Sequence, residues 1–467
     1  MSDIIFAVTG VFQISVFALT MYYFVLALFG LKRKDDNKTY NSNRRFAMIV
    51  AAHNEEVVIG NLVESLKKQK YPKEMYDIFV IADNCTDNTA KIARKYGANV
   101  YERFNNEQRG KGYALEWMFA KIFKMNKKYD AIAVFDADNL VSPNWIREIN
   151  SKMEEGYKVV QGYIDSKNPN DSWISTSYSV AFWTQNRMYQ LARANIGLSN
   201  QIGGTGFAID TDILKKFGWG ATCLTEDLEF SCKLILNGEK VGWAHDAIIY
   251  DEKPLTLKQS WVQRKRWMQG FTDVASRYFF KLIKKGLKEK KWFVLDCALY
   301  VIQPFLTLMI GVSMLLTFIN LISPGTFNIF VINDLFGDIA VGNILFTILA
   351  GLQFVITPLI MKLDKKISPG FFILLIFYAI SFVVIPFIVG SENQMIVIAI
   401  NIIYNLAFLL GTYLFLGKKT VIFFFRFLLY SLYTLTWIPI TIQGILDRHN
   451  KEWNPTKHVR SIEICDV

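Results

Sequence analysis

Three textures of apolar and polar residues succeed one another along the chain. Ile4 to Leu31 is a nearly uncharged apolar run, long enough to cross a bilayer with some tilt. From Phe46 onward, short apolar runs alternate with charged stretches at helical spacing. Phe46 to Ala52, Ile78 to Ala82, Ala131 to Phe135 and Val159 to Gly162 are predicted strands, and Glu56 to Gln69, Thr89 to Tyr96 and Gly112 to Phe123 are predicted helices. That alternation predicts an α/β layer with a largely parallel sheet, which binds ligands at the carboxyl ends of its strands. Thr256 to Trp292 mixes Trp, Phe, Val and Leu with Lys and Arg at helical spacing behind a Thr cap, the pattern of a basic amphipathic helix lying on a membrane surface. Beyond it Phe293 to Ile322, Ile339 to Met361, Gly370 to Val389 and Met395 to Leu416 are each long enough for a span. Val421 to Ile445, interrupted by Arg426, Pro439 and Gly444, is predicted to be an in-plane or re-entrant helix.

Composition agrees with this division. A chain of 467 residues with 52% hydrophobic and 15% aromatic content accommodates a soluble domain and several spans, not one globular core. The net charge of +11 does not point to nucleic acid, because Lys and Arg gather in short runs beside apolar segments, where anionic headgroups lie. The connections alternate between basic and free of Lys and Arg, which by the positive-inside rule gives five spans, an outside N-terminus and a cytoplasmic polar half. The Met-Ser-Asp start and the Lys32-Arg33-Lys34 end of the first run suit a span better than a signal peptide. Five cysteines without C-x-x-C spacing indicate neither a disulfide framework nor a zinc site. The expected organisation is a membrane helix over 1–34, a polar domain over 35–255, an interface helix over 256–292, four spans plus one in-plane helix over 293–445, and a cytoplasmic tail over 446–467.

Polar clusters fall where the strands end. Ala51-Ala52-His53-Asn54-Glu55-Glu56 follows the first strand and Asp83-Asn84-Cys85-Thr86-Asp87-Asn88 the second; these are ordinary loop and cap residues, yet together they could hydrogen-bond a nucleobase edge. Arg109-Gly110-Lys111-Gly112 offers a basic loop suited to phosphate without the spacing of a Walker loop. In Asp136-Ala137-Asp138, two carboxylates at the end of a buried strand repel each other unless a cation neutralises them, and oxygen ligands suit Mg²⁺ or Mn²⁺; a surface turn is the plainer alternative. Gly203-Gly204-Thr205-Gly206 lets backbone approach a sugar closely, or simply turns. In Thr225-Glu226-Asp227, Thr225 reads as the cap of a helix from Leu228, and Asp227 as either first-turn acid or general base. Gln263, Arg266 and Trp267 share one face of the amphipathic helix, which a lipid anchor would not require.

The ordered set of the Ala51 to Glu56 loop, Asp83, D-x-D, T-E-D and Q-x-x-R-W resembles the processive family 2 glycosyltransferases, the group of the hyaluronan, cellulose, chitin and poly-N-acetylglucosamine synthases. The resemblance covers Phe46 to Trp267. It implies a GT-A-like cytosolic α/β domain joined to an α-helical transmembrane domain, a UDP-sugar donor, and inverting transfer onto a growing β-linked polysaccharide. It places Ala52, Asn54, Glu55, Asp83, Lys111 and Asp136 at the donor, Asp138 as chief metal ligand with Asp136 beside it, and Asp227 as base next to Glu226. Gln263 and Arg266 fall at the donor diphosphate, and Gly204, Thr205 and Trp267 at the acceptor. Membrane lipids and accessory export proteins are the further partners it suggests. The chemistry is coherent: a sugar hydroxyl needs a carboxylate to take its proton, and departing UDP needs cations.

Two other function classes remain open on the sequence: a transferase that glycosylates a lipid carrier once, and a transporter or receptor with a nucleotide-sensing domain. The tail segment Glu452 to His458 is similar to the short aromatic, Thr and basic segment that closes over the nucleotide in the resembling synthases, although its spacing departs from the cellulose synthase form. As such a segment it would bring Thr456 and Lys457 to the diphosphate; as an interfacial anchor it would not.

Overall fold

The computed structural model describes residues 2–34, 38, 42–220, 223–323, 325, 327–328, 355–389, 394–450 and 458–467. After α1 (Ser2–Leu28), the polar domain runs β1 (Phe46–Ala52), α2 (Ile59–Lys67), β2 (Tyr76–Asp83), α3 (Thr89–Lys95), β3 (Asn99–Arg103), α4 (Lys111–Lys124), β4 (Ala131–Asp136), β5 (Leu140–Val141), α5 (Trp145–Glu154) and β6 (Val159–Ser166). It continues with α6 (Trp173–Thr184), a π-helical stretch Gln185–Leu191, α7 (Ala192–Asn195), β7 (Phe207–Asp210), α8 (Thr211–Phe217), α9 (Glu226–Leu236) and β8 (Val241–Asp251). The strands form one sheet in the order β3-β2-β1-β4-β7-β6-β8-β5. β3, β2, β1 and β4 are parallel, β7 runs antiparallel between β4 and β6, β8 is parallel to β6, and β5 is antiparallel to β8.

β1 shows why the apolar runs are continuous rather than alternating. Phe46, Met48 and Val50 pack beneath α2, α3 and α5, whereas Ala47 and Ile49 pack beneath α4, α8 and α9. A strand covered on both faces must be apolar at every position, and side chains two apart go to the same layer.

α10 (Leu257–Glu289) is the predicted amphipathic helix, 33 residues long and about 50 Å at 1.5 Å per residue. Its start is fixed by a reciprocal capping box in which Thr256 accepts from the Gln259 N–H and the Gln259 side chain accepts from the Thr256 N–H. Then come α11 (Trp292–Val301), α12 (Gln303–Ile322), a helical stretch over 355–363, α13 (Pro369–Val389), α14 (Gln394–Leu428), α15 (Tyr430–Leu435) and α16 (Trp437–Leu446). Among the described residues, three stretches are long and apolar enough to cross a membrane: Ile4–Leu28, Gln303–Asn320 and Met395–Leu446.

The expected single run Phe293 to Ile322 is divided at Ile302, before Gln303 and Pro304. α11 buries Val294, Cys297 and Ala298 against α9 and α10 and Asp296 against α7 and α1, so this face is protein-facing. Most of the expected span Ile339 to Met361 lies outside the described residues. The last expected span and the in-plane helix form a continuous path broken at Gly417 (φ 79°) and at the ends of α15. α16 packs along α10: a Cβ on Gly444 would come within 2.4 Å of Met268 Cβ, so only glycine permits this approach. Trp261 Nε1 donates to Gln443 at 2.8 Å, Gln269 Nε2 to the Asp447 carbonyl at 2.9 Å, and Lys265 pairs with Asp447.

Buried ion pairs fasten the sheet domain to the apolar helices. Arg193 on α7 holds both oxygens of Asp296 at 2.8 Å, and Tyr22 of α1 donates to the same carboxylate at 2.6 Å. Arg187 pairs with Asp364, which also accepts from Tyr163, and Lys366 pairs with Asp165. A pair of this kind is costly to break because the surviving charge stays buried, so these contacts fix orientation more than they add stability.

Candidate active site

The strand-end loops of β1 and β2 are stitched to one another. Asn54, in the left-handed region at φ 56°, accepts the Thr86 N–H at 2.8 Å, and the Glu55 N–H donates to Thr89 Oγ1 at 2.8 Å. Asn54 therefore serves the neighbouring loop, while Ala52, Glu55 and Asp83 line the cavity. Asp83 is paired at 2.6 Å with Arg103, both side chains buried. Burial pushes the Asp83 carboxyl up and Arg103 works against that rise. Arg103 ends β3, a strand too polar on its exposed face for the apolar pattern to reveal, so sequence reasoning missed this partner.

At the end of β4 the two carboxylates of D-x-D each face a cation of the protein. Lys111 Nζ pairs with Asp136 and donates to the Gly204 carbonyl at 2.6 Å. Burial opposes the Lys111 charge, but Asp136 and Glu226 outweigh it and raise its pKa. Asp138 is 2% exposed, accepts the Glu252 N–H at 3.0 Å, and has His458 Nε2 3.9 Å away. The cations that the pairing of the two acids calls for are thus supplied in part by the protein itself, by Lys111 beside Asp136 and His458 beside Asp138. Lys111, expected in a phosphate loop, starts α4 and is engaged on Asp136.

Burial pushes the Asp138 carboxyl up, while His458 and Lys167 hold it down. The imidazole of His458 loses by burial but gains more from Asp138 and from Glu55, whose Oε1 is 2.8 Å from Nδ1; its pKa rises to about 10. A divalent ion at this place would find one buried carboxylate, Asp138, and fits if a diphosphate supplies the remaining oxygens, the usual arrangement for Mg²⁺. Among the described residues no group of three or more His, Cys, Asp or Glu forms a cage.

Thr205 accepts the Asp136 N–H at 3.0 Å and donates to Asn139, which in turn donates to Asp251 at 3.1 Å, so the G-G-T-G turn is bolted to the D-x-D turn. Gly204 (φ 84°) faces Asp227: a Cβ there would lie 3.3 Å from Asp227 Oδ2. Glu226 and Asp227 open α9, one residue pair earlier than the expected start at Leu228. Thr225 stands at the cap position, yet its hydroxyl makes no capping bond. Its side chain instead fills the space above Gly270 of α10, where a Cβ would come within 2.4 Å of Thr225 Cγ2 and Oγ1. That contact locks the T-E-D turn to the Q-x-x-R-W helix. Burial, reinforced by the neighbouring Asp227, pushes Glu226 up to about 7, and burial likewise raises Asp227 against the backbone N–H of Leu228 and Lys111.

On α10, Gln263 Oε1 accepts from Tyr178 at 2.8 Å, Trp267 packs edge-on to Tyr178 and lies nearly parallel to Trp437 at 6.4 Å, and Arg266 has a buried Nε with no hydrogen-bond partner among the described residues. Arg264, on the opposite face, is buried over Tyr433 and Trp437. Apart from the supporting residues Asn54, Thr86, Thr89, Arg103, Asn139, Lys167, Tyr178, Arg264 and Gly270, these groups line a single cavity of ≈ 780 Å³. From the D-x-D turn it passes Glu226, Asp227, Arg266 and Trp267 and continues along Gln303, Thr307, Ile310 and Met314 of α12. Thr456 and Lys457 lie outside the described residues. Besides Arg103, sequence reasoning missed Lys167, Asp251 and Glu252, none of which stands in a recognisable motif; Asn139 closes the D-x-D cluster and His458 the tail segment from Glu452, but neither had a role of its own in the sequence reading.

Residues 43–270 match the family described as Glycosyltransferase like family 2. The probable glycosyltransferase YdaM of Bacillus subtilis (strain 168) is 28% identical over 255 residues, 52% of this chain and 60% of the relative. A beta-monoglucosyldiacylglycerol synthase of Nostoc sp. (strain PCC 7120 / SAG 25.82 / UTEX 2576) is 26% identical over 260 residues, 52% of this chain and 53% of the relative. A poly-beta-1,6-N-acetyl-D-glucosamine synthase of Staphylococcus aureus (strain COL) is 27% identical over 270 residues, 56% of this chain and 63% of the relative. Each of these matches thus leaves more than a third of the relative uncovered. The mannosyltransferase PcManGT of Pyrobaculum calidifontis, solved with GDP-Man and Mn²⁺, aligns with a TM-score of 0.47 at 16% identity, over 68% of this chain and 93% of that one. The polar half of the chain, whose residues 43–270 match that family, is a GT-A-like glycosyltransferase α/β domain, accompanied by apolar helices at the N-terminus and in the C-terminal region.

Proposed function

We propose that the chain is a multi-pass membrane glycosyltransferase whose catalytic domain faces the cytoplasm and which polymerises sugar from a UDP-sugar into a β-linked polysaccharide with inversion. The observation that carries this reading is the continuity of the cavity from Asp138 and Asp227, past Trp267, to the α12 face over Gln303 to Met314. The eleven helical rises from Gln303 to Met314 correspond to about 16 Å, room for more than one sugar ring beyond the point of transfer. The poly-beta-1,6-N-acetyl-D-glucosamine synthase among the relatives supports the same substrate class.

In this mechanism Asp83 and the loop before it hold the nucleobase, and Asp227, with Glu226 beside it, takes the proton of the acceptor hydroxyl as it attacks the anomeric carbon. Lys111 and the unsatisfied Nε of Arg266 receive the charge that develops on the leaving diphosphate. Trp267 presents an apolar face to the acceptor ring. A divalent Mg²⁺ or Mn²⁺ held by Asp138, with Asp136 near, would neutralise the diphosphate when bound.

A second reading, single glycosylation of a lipid, is favoured by one observation: the deep end of the cavity turns apolar at Ile310, Met314, Leu435 and Ile438. The beta-monoglucosyldiacylglycerol synthases among the relatives fit that reading. Incubating the purified protein with a panel of UDP-sugars and either metal, then sizing the product, decides between them. A long glycan supports the first reading, one sugar on a lipid the second, and no UDP release from any donor overturns both.

A further inference from the structure

The C-terminal residues from His458 lie across the donor end of the cavity. The N–H groups of Val459 and Arg460 donate to the Glu252 carboxylate at 3.0 and 3.1 Å, and Lys167 Nζ donates to the Arg460 carbonyl at 3.0 Å. Lys167 and Glu252 are 3.2 Å apart, with side-chain exposures of 2% and 5%. Their other bonds reach the D-x-D turn: Lys167 Nζ donates to the Asp138 carbonyl at 2.8 Å and the Glu252 N–H to Asp138 Oδ2 at 3.0 Å. Further along, Asn61 donates to Ser461 Oγ at 2.9 Å and Arg460 reaches Asp171 at 3.4 Å. This buried pair has polar capacity left for a visiting main chain. Without the tail, Glu252 would lose two donors and Lys167 one acceptor in a desolvated place, which favours occupancy.

We propose that the Lys167–Glu252 pair is a docking receptor for the main chain of Val459 and Arg460, and that Glu252 is a positioning residue which thereby presents His458 to the donor diphosphate. The second half rests on the nucleotide-sugar reading of the cavity; the first does not. Recognition runs through backbone groups, so it tolerates change in the tail side chains but not loss of an N–H. The anchored segment sets the imidazole beside Glu55 and Asp138, where an entering diphosphate would meet it.

The test uses the full chain in detergent with Cys465 replaced by Ser. Docking is read as the rate of disulfide formation in an N61C/S461C pair, and donor affinity as equilibrium binding of UDP with Mg²⁺. Arg460→Pro removes one backbone donor without touching the sheet domain, so a folding fault in Glu252→Ala does not decide the matter. Both variants are expected to slow cross-linking and weaken UDP binding by on the order of tenfold, the size expected for losing hydrogen bonds to a buried charge. His458→Ala should weaken UDP binding similarly while cross-linking at the parent rate. Parent-rate cross-linking in Arg460→Pro overturns the dock, and unchanged UDP affinity in His458→Ala overturns the role of the imidazole. If the parent binds no UDP yet Arg460→Pro cross-links slowly, the dock is upheld and the donor reading fails.

Discussion

The two ends of the cavity are built on opposite plans. At the donor end every carboxylate singled out has a cation beside it: Arg103 on Asp83, Lys111 on Asp136 and His458 beside Asp138. At the other end, Arg266 has a buried Nε without a hydrogen-bond partner among the described residues, Trp267 packs on Tyr178 and Trp437, and the wall becomes aromatic and then aliphatic. The carboxylates of the donor end are matched by protein cations among the described residues, so on the proposed reading an entering nucleotide diphosphate with its ion would exchange one set of charges for another. The far end offers apolar faces and the Arg266 guanidinium, which suits neutral sugar rings and a leaving group whose charge appears only during transfer.

The largest effect should come from the donor end. Asp138→Asn keeps shape but removes the one buried carboxylate available to an ion, and turnover should fall to background while the protein remains folded by circular dichroism and size exclusion. Full activity of the unaltered enzyme in excess EDTA would sink this assignment.

Next in size is Asp227→Asn, expected to leave UDP-sugar binding intact and to lower transfer by on the order of a hundredfold or more. If donor affinity weakens and transfer does not, Asp227 is a binding group. The acid limb sharpens the same point. A general base must be ionised, and burial with Asp227 raises the Glu226 carboxyl from its ordinary 4.5 to about 7. Burial raises Asp227 as well, so activity should fall on the acid side, above the ordinary carboxylate range, as the pair takes up a proton. A plateau held down to pH 5 would show that this pair is not the base.

How far the sequence revealed these ends follows from the physics that shaped each. β1, sandwiched between two helical layers, is apolar throughout and its limits were legible to the residue. The strand-end clusters at Asp83 and Asp136 were legible because a ligand site at the carboxyl ends of parallel strands needs polar groups just there. β3, β7 and β8 were not: β3 is a half-exposed edge, β7 has four residues, and β8 mixes Trp243, His245 and Asp246 into its length. Glu252, Lys167 and His458 meet across long sequence separations, and no local pattern encodes such a meeting. The division of Phe293 to Ile322 was missed because hydropathy does not distinguish Asp296, buried on Arg193, from a residue facing solvent or lipid.

On the far side of the cavity, Arg266→Ala should cost on the order of tenfold in kcat with little change in donor KM, the expected weight of one charge-assisted bond formed mainly in the transition state. A change confined to KM would place Arg266 in ground-state binding and erase the contrast with Lys111.

The smallest effect tests whether the aromatic end orients the amide of Gln263 or merely surrounds it. Tyr178 is buried, and its hydroxyl donates to Gln263 Oε1 at 2.8 Å, which turns the amide NH₂ of Gln263 toward the cavity it lines. Tyr178→Phe keeps the ring that packs on Trp267, Phe182 and Tyr433 and deletes only that hydroxyl. One neutral hydrogen bond is worth about 1 kcal/mol, or roughly fivefold in rate. The loss should appear in transfer to an acceptor and be absent from hydrolysis of the donor by water, because only the acceptor needs the oriented amide. Equal losses in both would mean that Tyr178 supports the whole helix, and no loss at all would leave Gln263 positioned by its backbone alone.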